Sequence, residues 1–242
     1  MPIGFSAEEV NEYEKNGFIT VTSLFDEDEM VPMADAVEGI LAELREELRA
    51  GDESSAKTFE TGVFVGLTLR RPYLREIFRD ERIAGRLRSI LGPKLGFLSD
   101  KIVFKSADIA YPTPWHQDYQ YWGGAHKMSV WIALDPATTG NGCMQFLPES
   151  HLKDIDHDDL EDDKPDTFAH QLQSLARVGL DENDAVTVEA RPGGAVFFHD
   201  NTLHRSMPNT TGERRRAFII TYRDLSQPDK EYPSLAAAEP ID

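Results

Sequence analysis

The chain has one cysteine, far fewer basic than acidic residues, and no long hydrophobic run. Because Cys143 has no second cysteine to pair with, no intramolecular disulfide can form, which favours a reducing compartment. Lysine and arginine total 25 against 43 acidic residues, giving a formal net charge of −18. That balance argues against nucleic acid as a partner, because phosphate neutralisation needs clustered basic side chains. No segment approaches the ~18 apolar residues of a membrane span, so we expect a cytoplasmic protein with no membrane partner.

The composition that remains is sufficient for a folded domain of ordinary size. The 242 residues are 40% hydrophobic and include 13 phenylalanines and 3 tryptophans, enough for a sizeable core. We find no internal repeat or linker and predict one domain over 1–242, existing as a monomer or a homodimer. Within it, 1–95 is expected to form mostly helical support, 96–223 a strand-rich core, and 224–242 a loosely held tail.

The first part of the chain carries helix signals. Ser6 and Glu9 have the spacing of a capping box, and Gly17 is placed to end that helix. Asp26 is placed to begin a second helix, and Gly51 to end it. Its apolar residues recur at helical spacing and form one stripe for burial, namely Met30, Met33, Val37, Ile40, Leu41, Leu44 and Leu48. Two shorter helices are predicted over 72–78 and 81–91.

From Gly96 onward the pattern changes to short runs rich in Val, Ile and Phe, separated by turn residues. The predicted strands are 97–104, 129–134, 142–147, 185–190, 194–199 and 217–222. Helices followed by many short strands indicate an α+β fold, mainly β, with a sandwich or barrel braced by helices. The segment 154–166 holds eight acidic residues and is expected to be a solvated loop, or alternatively a lid over a site.

The candidate chemistry lies in His116-Gln117-Asp118. On an extended segment, residues two apart point to the same face, so the imidazole and the carboxylate can meet. A second imidazole from His204 would complete a two-His, one-carboxylate face, which holds Fe(II) and leaves positions open for co-substrate and O2. The alternative is that both histidines are ordinary core residues and that Asp118 is a turn carboxylate.

Five segments in order carry a family resemblance: PTPWHQDYQYW, SVWIALD, NGCMQFLPESH, PGGAVFFHDNTLHRSMPN and ERRRAFIITY. Together, over about residues 97–222, they resemble the phytanoyl-CoA dioxygenase family of Fe(II)- and 2-oxoglutarate-dependent oxygenases. The resemblance implies a double-stranded β-helix core of the jelly-roll, cupin-like type. It also implies an enzyme that oxidises a small molecule, with Fe(II), 2-oxoglutarate and O2 as cofactor and co-substrates.

The resemblance also implies roles for individual residues. His116, Asp118 and His204 become the metal ligands and catalytic centre. Arg215 becomes the anchor for the distal carboxylate of 2-oxoglutarate, a role that suits a planar guanidinium. Its neighbours Arg214 and Arg216 compete for that role, but strand alternation would turn both away. Three further residues match family positions near the co-substrate, namely Ser206, Lys105 and Trp131.

The substrate side is less specified. The expected substrate contacts are Tyr119, Tyr121, Trp122, Phe64 and Arg70. Because relatives that halogenate replace the carboxylate with Gly or Ala, the retained Asp118 favours hydroxylation or a related oxidation. An amino acid derivative or a natural-product intermediate is the expected substrate. The alternatives are an acyl-CoA hydroxylase of the same family, with Arg70, Arg71 and Arg75 as its basic group, or a non-catalytic metal-binding jelly-roll protein.

Overall fold

A computed structural model describes residues 3–51, 59, 62–66, 70–110, 112–155, 175–229 and 239–241. The helices of these residues are α1 (Ala7–Asn16), α2 (Glu27–Arg49), α3 (Pro72–Ile77), α4 (Glu81–Leu91) and α5 (Tyr119–Trp122). Both predicted helix starts are confirmed, because Ser6 and Asp26 each form a capping box with a glutamate three residues later. Nearly all of the acidic segment 154–166 lies outside the described residues.

The strands are β1 (Phe18–Val21), β2 (Val63–Val65), β3 (Leu95–Lys105), β4 (Thr113–His116), β5 (Lys127–Ala133), β6 (Met144–Phe146), β7 (Val186–Val188), β8 (Ala195–His199), β9 (His204–Ser206), β10 (Arg215–Asp224) and β11 (Glu239–Ile241). Among the described residues, short 3-10 helices cover Ser150–Leu152, Leu175–Val178 and Glu182–Asp184. All paired strands run antiparallel. The long strands fall where apolar β-branched runs predicted them, within two or three residues at each end.

The strands form two sheets. One has the order β1-β8-β5-β10-β3-β11, with β2 also paired to β3, and the other has the order β4-β9-β6-β7. From β3 to β10 the chain passes back and forth between the sheets, with β6 and β7 as the one consecutive pair in the same sheet, which is the arrangement of a jelly roll. The predicted double-stranded β-helix braced by helices is therefore confirmed.

The helices pack on the outer face of the larger sheet. The predicted stripe of α2 is buried there except for the half-buried Leu48, with Met33, Val37 and Ile40 fully covered. Phe218 and Ile220 of β10 belong to the same cluster, and each fully buried side chain of this size contributes about 1.5–3 kcal/mol. Because side chains alternate across a strand, the odd-numbered residues of β10 from 215 to 219 face the interior between the sheets.

Two features differ from the prediction. The tail after 224 is not wholly loose, because Glu239–Ile241 pairs with the start of β3 and Ile241 is buried. The short strands β2, β4 and β9 have only three or four residues each, too few for a period of two to be recognised in the sequence. Within the described ranges, no helix is both long and apolar enough to cross a membrane.

Candidate metal centre

Three potential metal ligands meet between the two sheets. β4 pairs with β9 so that His116 lies directly opposite His204, and their ring centroids are 4.1 Å apart. The Nε2 atom of His116 is 3.9 Å from Oδ1 of Asp118. One ligand atom from each of the three buried residues lies within 4.8 Å of the others. Two imidazoles and one carboxylate in this arrangement could hold a ferrous ion on one side.

The turn after β4, rather than strand alternation, aligns His116 with Asp118. β4 ends at His116, and Asp118 has helical backbone angles (φ −62°, ψ −27°) just before α5. Gln117 between them is anchored, because its Nε2 donates a 2.5 Å hydrogen bond to the carbonyl of Asn201. His116 and Asp118 therefore meet as the sequence predicts, but through a turn and not through alternation on an extended segment.

Backbone carbonyls orient both imidazoles. Nδ1 of His116 lies 2.9 Å from the carbonyl of Pro114, and Nδ1 of His204 lies 2.9 Å from the carbonyl of Thr202. A carbonyl can only accept, so each Nδ1 carries the proton and each Nε2 presents its lone pair. This is the outer hydrogen bonding that fixes the tautomer of metal-binding histidines.

The protonation states suit a metal. Burial, followed by the neighbouring His204, lowers the pKa of His116 to about 3. Burial likewise lowers the pKa of His204. For Asp118, burial alone would raise the pKa, but Lys101 and the two histidines outweigh it and hold the pKa below its ordinary value. At neutral pH the group therefore consists of two neutral imidazoles and one carboxylate, the forms that bind a metal.

The carboxylate of Asp118 is held by two residues that were not predicted from the sequence. Lys101 on β3 donates to Oδ1 of Asp118 at 3.0 Å, and Ser129 on β5 donates to Oδ2 at 3.3 Å. Lys101 had a usable signal, because it lies four residues before Lys105 on one strand and therefore on the same face. Ser129 had no such signal in the sequence, because its contact with Asp118 depends on the pairing of β5 with β10.

Arg215 is fully buried on the inner face of β10. Its Nη2 donates to the carbonyl of Gly142, whereas Nε and Nη1 have no hydrogen-bond partner in the part of the chain that the structure describes. Burial lowers the pKa of Arg215 to about 10, so the group is charged at neutral pH. A buried cation with unmet donors is costly, which indicates that an anion binds here.

The two competing arginines point elsewhere. Arg216 faces the helices and holds Asp135 through Nε and Nη2, each at 2.9 Å. Arg214 is half exposed and lies 3.6 Å from Glu38. The alternation expected along the three successive arginines is the one observed, and Arg215 alone of the three faces the interior.

The other predicted co-substrate residues lie around the same interior. Lys105 is buried on β3 directly opposite Arg215 in the strand register. The ring of Trp131 lies under the guanidinium, 5.7 Å from its carbon to the ring centroid. Ser206 lies one strand position beyond Arg205 and donates a 2.9 Å hydrogen bond to Thr113. Trp131 and Ser206 line the same cavity as the metal ligands, and Trp131 connects that cavity to Arg215.

Lys105 gives the metal-free protein a specific dependence on pH. Burial, followed by the charge of Arg215, lowers its pKa to about 7, against about 10.4 in an unfolded chain. The unfolded state therefore binds more protons between these values, so stability rises with pH by up to about 1.4 kcal/mol per unit. We expect Lys105→Met to lack this rise when free energies of urea unfolding are compared from pH 7 to 10. Parallel profiles for the two proteins would contradict it.

A cavity of about 390 Å³ opens beside the metal ligands, within the size range of small-molecule sites. Lys101, Thr113 and Ser206 contribute polar groups to it. The remaining wall is mostly apolar and includes Val103, Tyr121, Trp122, Trp131, Phe198 and Ile219. Tyr121 and Trp122, two of the predicted substrate contacts, therefore line this cavity.

Three other expected substrate contacts do not line this cavity. Phe64 is buried in the helix-side core against Phe59, because alternation on β2 turns its neighbours Val63 and Val65 to the cavity instead. Arg70 lies on the surface, where its guanidinium is 2.9 Å from a carboxylate oxygen of Glu47. Tyr119 lies on the first turn of α5, outside the lining, with its backbone amide bound to the carbonyl of Asp200.

A second histidine and aspartate group, His126, His199 and Asp200, also brings its ligand atoms within 4.8 Å of one another. The two rings are stacked at 3.7 Å with an angle of 18°. Since imidazole lone pairs lie in the ring plane, stacked rings cannot both aim at one ion. Nδ1 of His199 also already accepts the amide of Asn201 at 2.9 Å. This group is a hydrogen-bonded cluster that connects to α1 through Tyr13.

The fold and the first group define a class of protein. Two antiparallel sheets enclose a cavity, and a group of two histidines and one carboxylate lies at its side. A buried guanidinium with unmet hydrogen-bond donors could bind an anion. This combination is that of a non-haem iron oxygenase that uses a dicarboxylate co-substrate.

The chain belongs to the phytanoyl-CoA dioxygenase family, whose model matches residues 13–217. The match begins well before residue 97, where the resemblance of the sequence segments begins, and it includes α2, α3 and α4. The chain is an Fe(II)- and 2-oxoglutarate-dependent dioxygenase acting on a small molecule.

Individual relatives support this assignment. A probable alpha-ketoglutarate-dependent hypophosphite dioxygenase of Stutzerimonas stutzeri is 31% identical over 89% of this chain and 78% of its own length. An L-proline trans-4-hydroxylase of Streptomyces griseoviridis is 27% identical over 88% and 85%, respectively. A crystal structure of EctD from S. alaskensis with 2-oxoglutarate and 5-hydroxyectoine superposes with a TM-score of 0.78 at 20% identity, covering 98% of this chain and 85% of that one. At that identity the last comparison speaks for the fold alone.

Proposed function

We propose that this dioxygenase hydroxylates an unactivated C–H bond of a small amino acid derivative or natural-product intermediate, with His116, Asp118 and His204 as the iron ligands. One observation carries the proposal. The two imidazoles are held neutral with Nε2 presented, beside a carboxylate held ionised, in a buried group that could bind a metal.

Arg215 and Lys105 are proposed to hold the distal carboxylate of 2-oxoglutarate. The unmet Nε and Nη1 donors of Arg215 lie on different edges of the guanidinium. Either of them can form a two-bond fork to a carboxylate together with the second hydrogen of Nη2. Ser206 and Trp131 complete that part of the wall. When bound, ferrous iron, 2-oxoglutarate and O2 supply the oxidising chemistry, with succinate and CO2 as products.

The protein itself positions the reacting groups and excludes water from them. Phe198, Ile219 and Trp131 line the cavity beside the ligands and exclude water from the reacting atoms. Ser129 and Lys101 each bind one oxygen of Asp118 and fix its orientation. Because this carboxylate fills a ligand position, hydroxylation is favoured over halogenation.

The cavity supports a small substrate rather than an acyl-CoA. The phosphates of coenzyme A need cationic partners. Arg70 and Arg71, two of the three arginines considered for that role, instead pair with Glu47 and Glu43 on α2. The names of the relatives point the same way, since hypophosphite and proline are small anions or carry a carboxylate.

We further propose a cytoplasmic protein, a monomer or a homodimer, without nucleic-acid or membrane partners. The formal charge of −18 supports this, because anionic polymers and surfaces would repel the chain.

The test uses anaerobic protein with Fe(II) and 2-oxoglutarate. We expect the weak visible charge-transfer band of the chelate, followed on adding air and a panel of small substrates by succinate in step with oxidised product. His116→Ala should remove the band, whereas His151→Ala, at a half-buried histidine outside the metal group, should keep it. No band in the wild type, together with no succinate, would contradict the proposal.

A further inference from the structure

Lys101 occupies an unusual place for a lysine. It lies in the middle of β3, between Val65 of β2 and Ile219 of β10, and its side chain is only 17% exposed. Its ammonium group lines the cavity and is 3.0 Å from Oδ1 of Asp118. An ammonium group has three donors, and in the described part of the chain only the one to Asp118 is used. Lys101 therefore has two donors left for something in the cavity.

The charge balance around the metal ligands points to an anion. The two positive charges of a ferrous ion and the two carboxylates of 2-oxoglutarate cancel. Asp118 then offsets only one of the two cations Lys101 and Arg215. Excess charge in a buried site is costly unless it is paired.

The other cation at the cavity is already paired. Arg205 lies over the ring of Trp115 at 4.7 Å, and its guanidinium contacts Glu182 at 2.5 Å and Gln145 at 2.7 Å. The ion pair between Lys101 and Asp118 also weakens when a metal shares the charge of Asp118. Among the described cations of the cavity, Lys101 is thus the one with capacity for a substrate anion.

We propose that Lys101 anchors the substrate by its anionic group, a carboxylate or a phosphorus oxyanion, and thereby sets the substrate class of this enzyme. The proposal rests on the proposed function and deepens it. The apolar wall around Tyr121 and Trp122 would take the uncharged part of the substrate. Because the anion sits on a residue that contacts an iron ligand, the bond to be oxidised lies within a few atoms of that anion.

The experiment measures binding rather than turnover. Wild type and three variants, Lys101→Met, Lys101→Arg and Lys94→Met, are loaded anaerobically with Fe(II) and 2-oxoglutarate. Hypophosphite, L-proline and L-prolinamide, which lacks the carboxylate, are titrated against the visible band and by calorimetry. Metal analysis gives the iron content of each sample, and thermal unfolding reports whether each variant is folded. Lys94 is an exposed lysine just before β3 and serves as the matched control.

We expect at least one of the two anions to bind the wild type, and L-prolinamide to bind more weakly than L-proline if proline is that anion. Lys101→Met should weaken the anion about 10- to 100-fold, the loss of a charge-assisted hydrogen bond, with the 2-oxoglutarate band retained. Lys101→Arg should recover most of the affinity, and Lys94→Met should match the wild type. Which anion responds decides between a carboxylate and a phosphorus oxyanion.

Three results would overturn the inference. Equal anion affinity in Lys101→Met and the wild type is the first, and no anion response in a wild type that forms the band is the second. The third is a Lys101→Met protein with low iron content but unchanged anion affinity per loaded site, because Lys101 would then only support Asp118. Failure of the band itself in the wild type would instead reject the proposed function.

Discussion

His204→Ala is expected to abolish measurable iron binding and turnover. Mutating residues that only orient metal ligands typically costs 10- to 100-fold in metal affinity or activity, so loss of a ligand should cost at least about 100-fold. His204 has no substitute, because β9 presents its single imidazole directly across from His116. Iron content after anaerobic loading and desalting, together with succinate formation, measures both effects.

His126→Ala is the matched control for this prediction. His126 belongs to the second histidine and aspartate group, whose stacked rings cannot converge on one ion. We expect this variant to bind iron like the wild type, with some loss of stability because the contact to Tyr13 disappears. Iron loss in His126→Ala with retention in His204→Ala would assign the metal to the second group and refute our choice.

The fold was largely predictable because its local signals agree with its final packing. Ser6 and Asp26 mark helix starts by hydrogen bonds made within one turn, and such contacts need no knowledge of distant residues. The long strands carry continuous apolar runs because they are buried between helices and the second sheet. The pairing of Glu239–Ile241 with β3 was not predictable, since it joins residues far apart in the chain.

The site was predictable where residues follow one another and less so where strands meet. His116 and Asp118 are close in sequence, and the segments shared with the family led to His204 and Arg215. Phe64 was misplaced because one step along a strand reverses the face of every side chain. The three residues of β2 are too few to show from the sequence which side chains face the cavity.

Lys101 shows what a further step of sequence reasoning would have found. Once Lys105 is placed at the co-substrate, alternation on β3 puts Val103 and Lys101 on the same face. That step gives the face but not the partner. The contact with Asp118 needs β3 and the turn after β4 to approach each other, which is a property of the closed jelly roll rather than of any segment.

Arg215→Met is expected to weaken 2-oxoglutarate binding by at least about 100-fold. Removing one partner of a buried charge pair typically costs about 3–5 kcal/mol, because the other charge is left uncompensated. In the proposed site that charge is the distal carboxylate of the co-substrate. Lys105 alone should not replace a planar group that binds both oxygens. The measurement is the 2-oxoglutarate concentration needed for half of the anaerobic visible band, compared with an Arg214→Met control that should match the wild type.

The stability of the same variant distinguishes a binding role from a structural one. Without co-substrate, Arg215 is a buried guanidinium with two unmet donors among the described residues. Replacing it with an apolar side chain of similar size should therefore leave the free energy of urea unfolding unchanged or raise it. Arg216→Met should do the opposite, losing stability through its bonds to Asp135 while keeping 2-oxoglutarate affinity per folded molecule. If Arg215→Met unfolds easily and retains the affinity, Arg215 is structural, and the anchor for 2-oxoglutarate lies on another residue.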